Sequence, residues 1–249
     1  MVPVKGSSVL FVLCVALLLP GGCARTKSNT RASTLLFCGR GTSHDDVAQI
    51  AKVLDEKGIA YDTANSAQLN EMSEQQLLRY RLIIVPGGNY ITIGNHLTAE
   101  TTRRIRNAVR QGLNYFGICA GGLLAGNAGS NSLDLASGVR FGFYEAVNRG
   151  IHKAAVPIAC SGTPVIEHYW EDGPQFSGWG LVVGKYPDGT PAIAEGAVGD
   201  GWVILCGVHP EAPESWRTDI SFSTNAREAN EYAGTLVDAA LNRRSLPHY

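Results

Sequence analysis

Three short stretches of the 249-residue chain hold side chains able to do chemistry together. The first is Tyr115-Phe116-Gly117-Ile118-Cys119-Ala120-Gly121-Gly122, where an apolar run shaped like a buried strand stops on a cysteine and small residues follow. A strand that turns sharply into a helix needs glycine on both sides of the bend. The bend pushes its central side chain into a cleft, often at some backbone strain, and the positive end of the helix favours thiolate over thiol. Taken alone, the stretch is also compatible with a buried cysteine at an ordinary strand-to-turn junction. The second stretch is Val203-Ile204-Leu205-Cys206 running into Gly207-Val208-His209-Pro210-Glu211. Pro210 stiffens the turn, and Glu211 can accept the imidazole proton, setting tautomer and ring orientation. The alternative is that His209 caps a loop and Glu211 is solvated. The third is Pro86-Gly87-Gly88-Asn89-Tyr90, at the end of the apolar run Arg81 to Val85. A thiol and an imidazole on one sheet rim would give nucleophilic attack with a general base.

The elements that must position these residues follow from hydrophobic spacing. Thr34 to Cys38 reads as a first strand. Ser43 caps a helix to about Lys57, with Asp45 and Asp46 in its first turn and Val47, Ile50, Ala51 and Leu54 on its apolar face. Ile59 to Thr63 is a second strand, Ser73 caps a short helix ending near Arg79, and Arg81 to Val85 is a third strand. Thr98 opens a helix to about Gln111, with Ile105, Ala108 and Val109 inward, and the elbow strand comes next. This alternation predicts an α/β fold: a doubly wound, mostly parallel sheet with helices on both faces. Ligand sites in such sheets lie at the carboxyl ends of the strands, which sets Pro86-Gly87-Gly88 and Cys119 on one rim. In the second half, Val139 to Tyr144, Ala155 to Ala159, Pro164 to Tyr169, Gly180 to Tyr186, Ala192 to Glu195 and Trp202 to Cys206 read as added antiparallel strands. Trp170 to Trp179 reads as a loop near the rim. Arg227 to Arg243 is a closing helix with Tyr232, Leu236, Val237 and Ala240 inward.

Composition narrows the class. Hydrophobic residues make up 45% and charged residues 17%, as in a globular core, and 21 Lys and Arg face 22 Asp and Glu. That balance argues against nucleic acid or a broad anionic surface as partner. At the start, Lys5 precedes an apolar run from Val9 to Leu19 that is short for a membrane span and fits a signal segment. It ends in Leu18-Leu19-Pro20-Gly21-Gly22-Cys23-Ala24, like a bacterial lipoprotein cleavage box, with Pro20 departing from the usual Leu. The expected organisation is a signal peptide over residues 1–23 with Cys23 lipidated, a polar tether over 24–33, and a single domain over 34–249. The expected location is the cell envelope, anchored to the membrane by that lipid, or otherwise secreted or periplasmic. Cys38, Cys119, Cys160 and Cys206 fall in the mature domain, and spacing alone cannot pair them. No CxxC or His/Cys cluster at zinc spacing occurs, so neither metal nor cofactor is expected. His44, His96, His152 and His168 read as structural or solvated.

Gly117-Ile118-Cys119-Ala120-Gly121, His209-Pro210-Glu211 and Pro86-Gly87-Gly88 together resemble the class I glutamine amidotransferase-like superfamily. Cys38-Gly39-Arg40-Gly41-Thr42-Ser43 narrows the likeness to the domain at the N-terminus of some biotin–protein ligases. The resemblance runs from about Thr34 to Trp216. It implies Cys119 as nucleophile, His209 as general base and Glu211 as the group that orients it. It also implies an oxyanion hole from the N–H groups of Gly88 and Ala120. No stretch is expected to build a ligase domain, so biotin ligation is not implied. The reading is a cysteine-dependent hydrolase of an amide or ester, with a small-molecule or peptide substrate. The alternative is a non-catalytic sensor using Tyr169, Trp170, Trp179 and Trp202 as a pocket; a redox role for Cys119 is a third idea that nothing in the sequence prefers. Substrate and oligomeric state are left open.

Overall fold

Within each central strand the apolar run alternates strictly between two cores. The computed structural model describes Met1 and residues 32–126 and 131–249. The expected signal segment, Cys23 and the tether up to residue 31 lie outside the described residues. In β1 (Thr34–Phe37), Leu35 and Phe37 enter one hydrophobic cluster and Leu36 the other. In β3 (Leu82–Val85), Ile83 and Val85 go one way and Leu82 and Ile84 the other. In β11 (Gly201–Cys206), Val203 and Leu205 oppose Ile204 and Cys206. Side chains of successive strand residues point to opposite faces, and a strand covered on both faces reads as a continuous apolar run.

The covering helices divide accordingly. One face carries α1 (His44–Glu56) and α7 (Ala226–Asn242), whose Ile50, Leu54, Tyr232, Leu236 and Val237 are buried. The other carries α2 (Ser66–Glu71), α3 (Glu74–Leu77), α4 (Tyr90–Asn95) and α5 (Ala99–Arg110), with Leu69, Leu77, Ile93, Ile105 and Val109 buried. Each of these six helices starts on a side-chain cap: Ser43, Asn65, Ser73, Asn89, Thr98 and Asn225 each accept a backbone N–H. A cap of this kind is worth about 1 kcal/mol. Of the helices above, α2 and α4 have no counterpart in the sequence reading.

The remaining strands are β2 (Tyr61–Ala64), β4 (Asn114–Ile118), β5 (Arg140–Phe143), β6 (Lys153–Cys160), β7 (Ile166–Glu171), β8 (Pro174–Ser177), β9 (Leu181–Lys185) and β10 (Pro191–Val198). Nine of the strands form one sheet in the order β2-β1-β3-β4-β11-β10-β9-β6-β7. Pairing is parallel from β2 to β11 and antiparallel from β11 onward. The doubly wound sheet with added antiparallel strands is therefore present. The stretch Trp170 to Trp179 differs from its reading as a loop: it contains β8, which pairs with β5 in a separate two-stranded sheet. Gly and Pro punctuation hid a four-residue strand there. Strand β11 is the seam of the molecule, parallel to β4 on one side and antiparallel to β10 on the other.

Candidate active site

Cys119 stands between β4 and α6 (Ala120–Leu124) with φ 49° and ψ −106°. A non-glycine residue in this region costs roughly 1–3 kcal/mol and persists only where its surroundings impose it. Here they do. A Cβ placed on Gly121 would lie 2.0 Å from the Val85 carbonyl oxygen, so the elbow is pressed directly on β3. Tyr115 Oη donates to the Gly121 carbonyl at 2.6 Å, and the Cys119 N–H donates to the Cys206 carbonyl at 2.7 Å. The second bond ties the elbow to the seam strand, in register with the pair Ile118 and Cys206. Among the described residues, the thiol donates only a long 3.8 Å contact to the Glu171 carbonyl.

His209 follows the end of β11. Its N–H donates to the Tyr169 carbonyl at 2.8 Å, making an isolated bridge to β7. The imidazole lies edge-on to Tyr169 and Trp216, with ring centroids 5.9 and 5.8 Å away. Its Nδ1 is 2.9 Å from Glu211 Oε1, and Glu211 is fully buried. With Nδ1 engaged in this way, Nε2 is the nitrogen left to exchange a proton.

A second carboxylate, which the sequence reading did not single out, shares this nitrogen. Asp46 Oδ1 lies 3.0 Å from His209 Nδ1, and Asp46 is 4% exposed. Sequence placed Asp46 beside Asp45 as a first-turn acid serving the helix dipole. The structure separates them, since the Asp45 side chain is 71% exposed. The only available signal was its position three residues after the capping Ser43, and that position does not reveal which way a side chain faces.

The charges of this cluster are strongly coupled. Burial opposes an imidazolium at His209, but electrostatic attraction to the acidic groups around it, with a hydrogen bond to Asp46, outweighs it and holds the group well above the usual histidine range. Burial pushes Glu211 up to about 7; the pull of His209 opposes this, and repulsion from Asp46 adds to it. Burial also works to raise Asp46, yet His209 and hydrogen bonds from His209, Ser43 and Glu211 leave it below the ordinary carboxylate range. These three side chains are the one group among the described residues whose ligand atoms lie close enough to hold an ion, within 4.8 Å of one another. Separations of 2.9 and 3.0 Å from a ring nitrogen are hydrogen-bonding distances, and proton sharing accounts for them.

Cys119 and His209 open into one cleft of about 760 Å3, together with Gly88, Ala120, Tyr169 and Trp216. Gly88 has φ 137°, and among the described residues nothing accepts from its N–H. Ala120 is the first residue of α6, where N–H groups have no intrahelical acceptor. The wall holds an ion pair of Lys153 and Glu171 at 2.9 Å, and Tyr169 Oη donates to Glu171 at 2.7 Å. Of the four aromatic residues suggested as a pocket, Tyr169 alone lines this cleft. Trp170 is fully buried with its Nε1 donating to the Gly173 carbonyl, and Trp179 and Trp202 pack against the cores. Trp216, from the turn Glu214–Arg217, takes the place expected of them. His168 is fully buried, whereas His44 and His152 are exposed.

Residues 32–153 match the sequence model of the family described as "Biotin-protein ligase, N terminal". Over this stretch the chain is similar to that family, and its fold is of the class I glutamine amidotransferase-like kind. The match covers the loop after β1, Pro86-Gly87-Gly88 and the Cys119 elbow, and stops before His209. Among solved structures, one described as a glutamine amidotransferase is 20% identical with a TM-score of 0.55, over 80% of this chain and 99% of its own. A glutamine amidotransferase from Thermotoga maritima is 12% identical with a TM-score of 0.53, over 86% and 99%. An exo-β-1,4-mannosidase from an Opitutaceae bacterium is 14% identical with a TM-score of 0.55, over 84% of this chain and 36% of its own. At these identities the likeness is one of fold. No curated protein sequence matches the chain significantly.

Proposed function

We propose that the domain is a cysteine-dependent hydrolase of an amide or ester, with Cys119 as nucleophile, His209 as base and Glu211 orienting the base. The observation that carries this is a strained cysteine sharing one cleft with a buried histidine whose Nδ1 is held by a buried carboxyl group. Attack of the thiolate on the carbonyl carbon forms the C–S bond, and His209 passes a proton to the leaving amine or alcohol. Water then cleaves the thioester with the same imidazole as base. The N–H groups of Gly88 and Ala120 are the proposed donors to the oxyanion, a role worth roughly 3 kcal/mol per donor in enzymes where it has been measured.

We further propose that the protein is exported and anchored at the cell envelope through lipid on Cys23, and acts there on a small molecule or peptide. Cys23→Ser would abolish incorporation of labelled palmitate; undiminished labelling would exclude the anchor. The hydrolase reading is tested by alkylation and turnover. Native protein should react with iodoacetamide at Cys119 at neutral pH at least ten times faster than the unfolded chain, and Cys119→Ala should lose this labelling together with turnover on amide and ester substrates. Equal labelling of native and unfolded protein would overturn the reading.

A further inference from the structure

Two carboxyl groups meet one imidazole nitrogen in this site, and a neutral or charged ring has only one proton there to give. The Nδ1 contact to Glu211 Oε1 has full hydrogen-bond geometry, whereas Asp46 Oδ1, buried and 3.0 Å from the same nitrogen, lies within reach but has no partner of full hydrogen-bond geometry. Glu211 Oε2 is likewise buried without a partner. Two unpaired acceptors in one buried cluster call for one proton between them, because that proton supplies the missing donor to both. Like-charged carboxylates this close also disfavour ionising together.

The approach of Asp46 is built in from three segments. Ser43 caps α1 and accepts from the Asp46 N–H, and the Ser43 N–H donates to the Gly87 carbonyl at 2.9 Å. A Cβ on Gly87 would lie 2.4 Å from Asp46 Oδ1 and 2.7 Å from His209 Cε1. Only a residue without a side chain lets the start of α1, the loop after β3 and the loop after β11 close on one another here.

We propose that Asp46 is a second positioning residue for His209, and that Asp46 and Glu211 hold one shared proton while jointly clamping its Nδ1–H. This deepens the hydrolase reading and rests on it for its role in turnover. Glu211 is the protonated partner and Asp46 the charged one. Removing the charge of Asp46 lets Glu211 ionise and take over the clamp; removing Glu211 leaves Asp46 to hold it alone. The imidazole therefore loses its anionic partner only when both are gone. The other ionisable groups facing His209 are Cys119 at the elbow, Cys206 on β11, and Tyr169 and Glu171 on β7.

The test follows the His209 side-chain nitrogens by 15N NMR through a pH titration of the full chain. Asp46→Asn, Glu211→Gln and the double variant are compared, with iodoacetamide reactivity read alongside. Asp46→Asn should move the titration of Glu211, seen through His209, downward by at least one pH unit. Each single variant should keep His209 protonated at neutral pH, and the double variant should lower its midpoint by at least two units. If Asp46 serves only as a helix-start residue, Asp46→Asn leaves the His209 titration unchanged and the double variant equals Glu211→Gln; that result overturns the proposal. Zinc bound tightly by the wild type and lost in both single variants overturns it in favour of an ion site. Should Asp46→Asn fail to fold, infrared spectra of the wild type and Glu211→Gln decide: a protonated-carboxyl band present in the first and retained in the second defeats the shared proton. An intact NMR result with no fast alkylation sinks the hydrolase reading alone. Fast alkylation with an unresponsive His209 sinks the Asp46 proposal alone.

Discussion

At the scale of single residues, Glu211 gives the clearest dependence on pH. Its folded-state value of about 7 lies above that of an ordinary glutamate, so between those values the folded chain binds more protons than the unfolded one. Stability then falls as pH rises through this window. His209, also raised, acts in the same direction: its contribution is complete below the unfolded histidine value and is lost as pH climbs through the folded one. Asp46, lowered, acts oppositely and contributes above the unfolded aspartate value. Thermal unfolding of Glu211→Gln should therefore show a shallower loss of Tm between about pH 5 and pH 8 than wild type. Parallel curves would show that Glu211 does not titrate there. Gly87→Ala makes a steric prediction. Its methyl group would stand where Asp46 and His209 already are, and such overpacking costs roughly 1–3 kcal/mol. A drop of that size in denaturant unfolding, with loss of fast alkylation at Cys119, is the expected outcome.

At the scale of elements, the elbow depends on one hydrogen bond that can be removed without changing shape. Tyr115→Phe deletes the donor to the Gly121 carbonyl and leaves a buried acceptor unpaired, which costs about 1–3 kcal/mol. Equilibrium unfolding in urea should register this as a lower midpoint at unchanged slope. Legibility from sequence also divides at this scale. Strands β1, β3, β4 and β11 were readable because both faces are covered, which makes each of them a continuous apolar run. Helices α1, α5 and α7 were readable because caps and 3.6-residue spacing agree. The six-residue α2 and α4 were not, since a single turn or so carries too little periodicity, although Asn65 and Asn89 cap them. The rim position of Cys119 and the pairing of His209 with Glu211 came from strand ends and a proline-stiffened turn. Asp46 and Trp216 did not, because long-range packing alone decides which way a helix-start aspartate or a loop tryptophan points.

At the scale of the whole molecule, the second half adds antiparallel strands to the parallel half without entering the contact between β4 and β11. The thiols bear on how such a chain is held together. Cys38, Cys119, Cys160 and Cys206 are all free, and the two large cores are continuous across the sheet. Packing, with no crosslink among the described residues, supplies the stability of the domain. Reductant should then move Tm by less than about 1 °C, whereas loss of a native disulfide costs 2–5 kcal/mol. Titration of the unfolded domain should find all four thiols without reduction; a deficit would reveal a bridge.

The backbone hydrogen bond from the Cys119 N–H to the Cys206 carbonyl has a temporal consequence as well as a spatial one. The elbow and the strand that completes it are separated by some 90 residues of sequence, and pairings of such separation are slow to form. A chain emerging N-terminus first presents its cysteine before the histidine and both carboxyl groups are assembled around it. Until β11 docks, the Cys119 N–H lacks the Cys206 carbonyl that ties the elbow down, so the activated thiol is assembled only after the seam strand arrives.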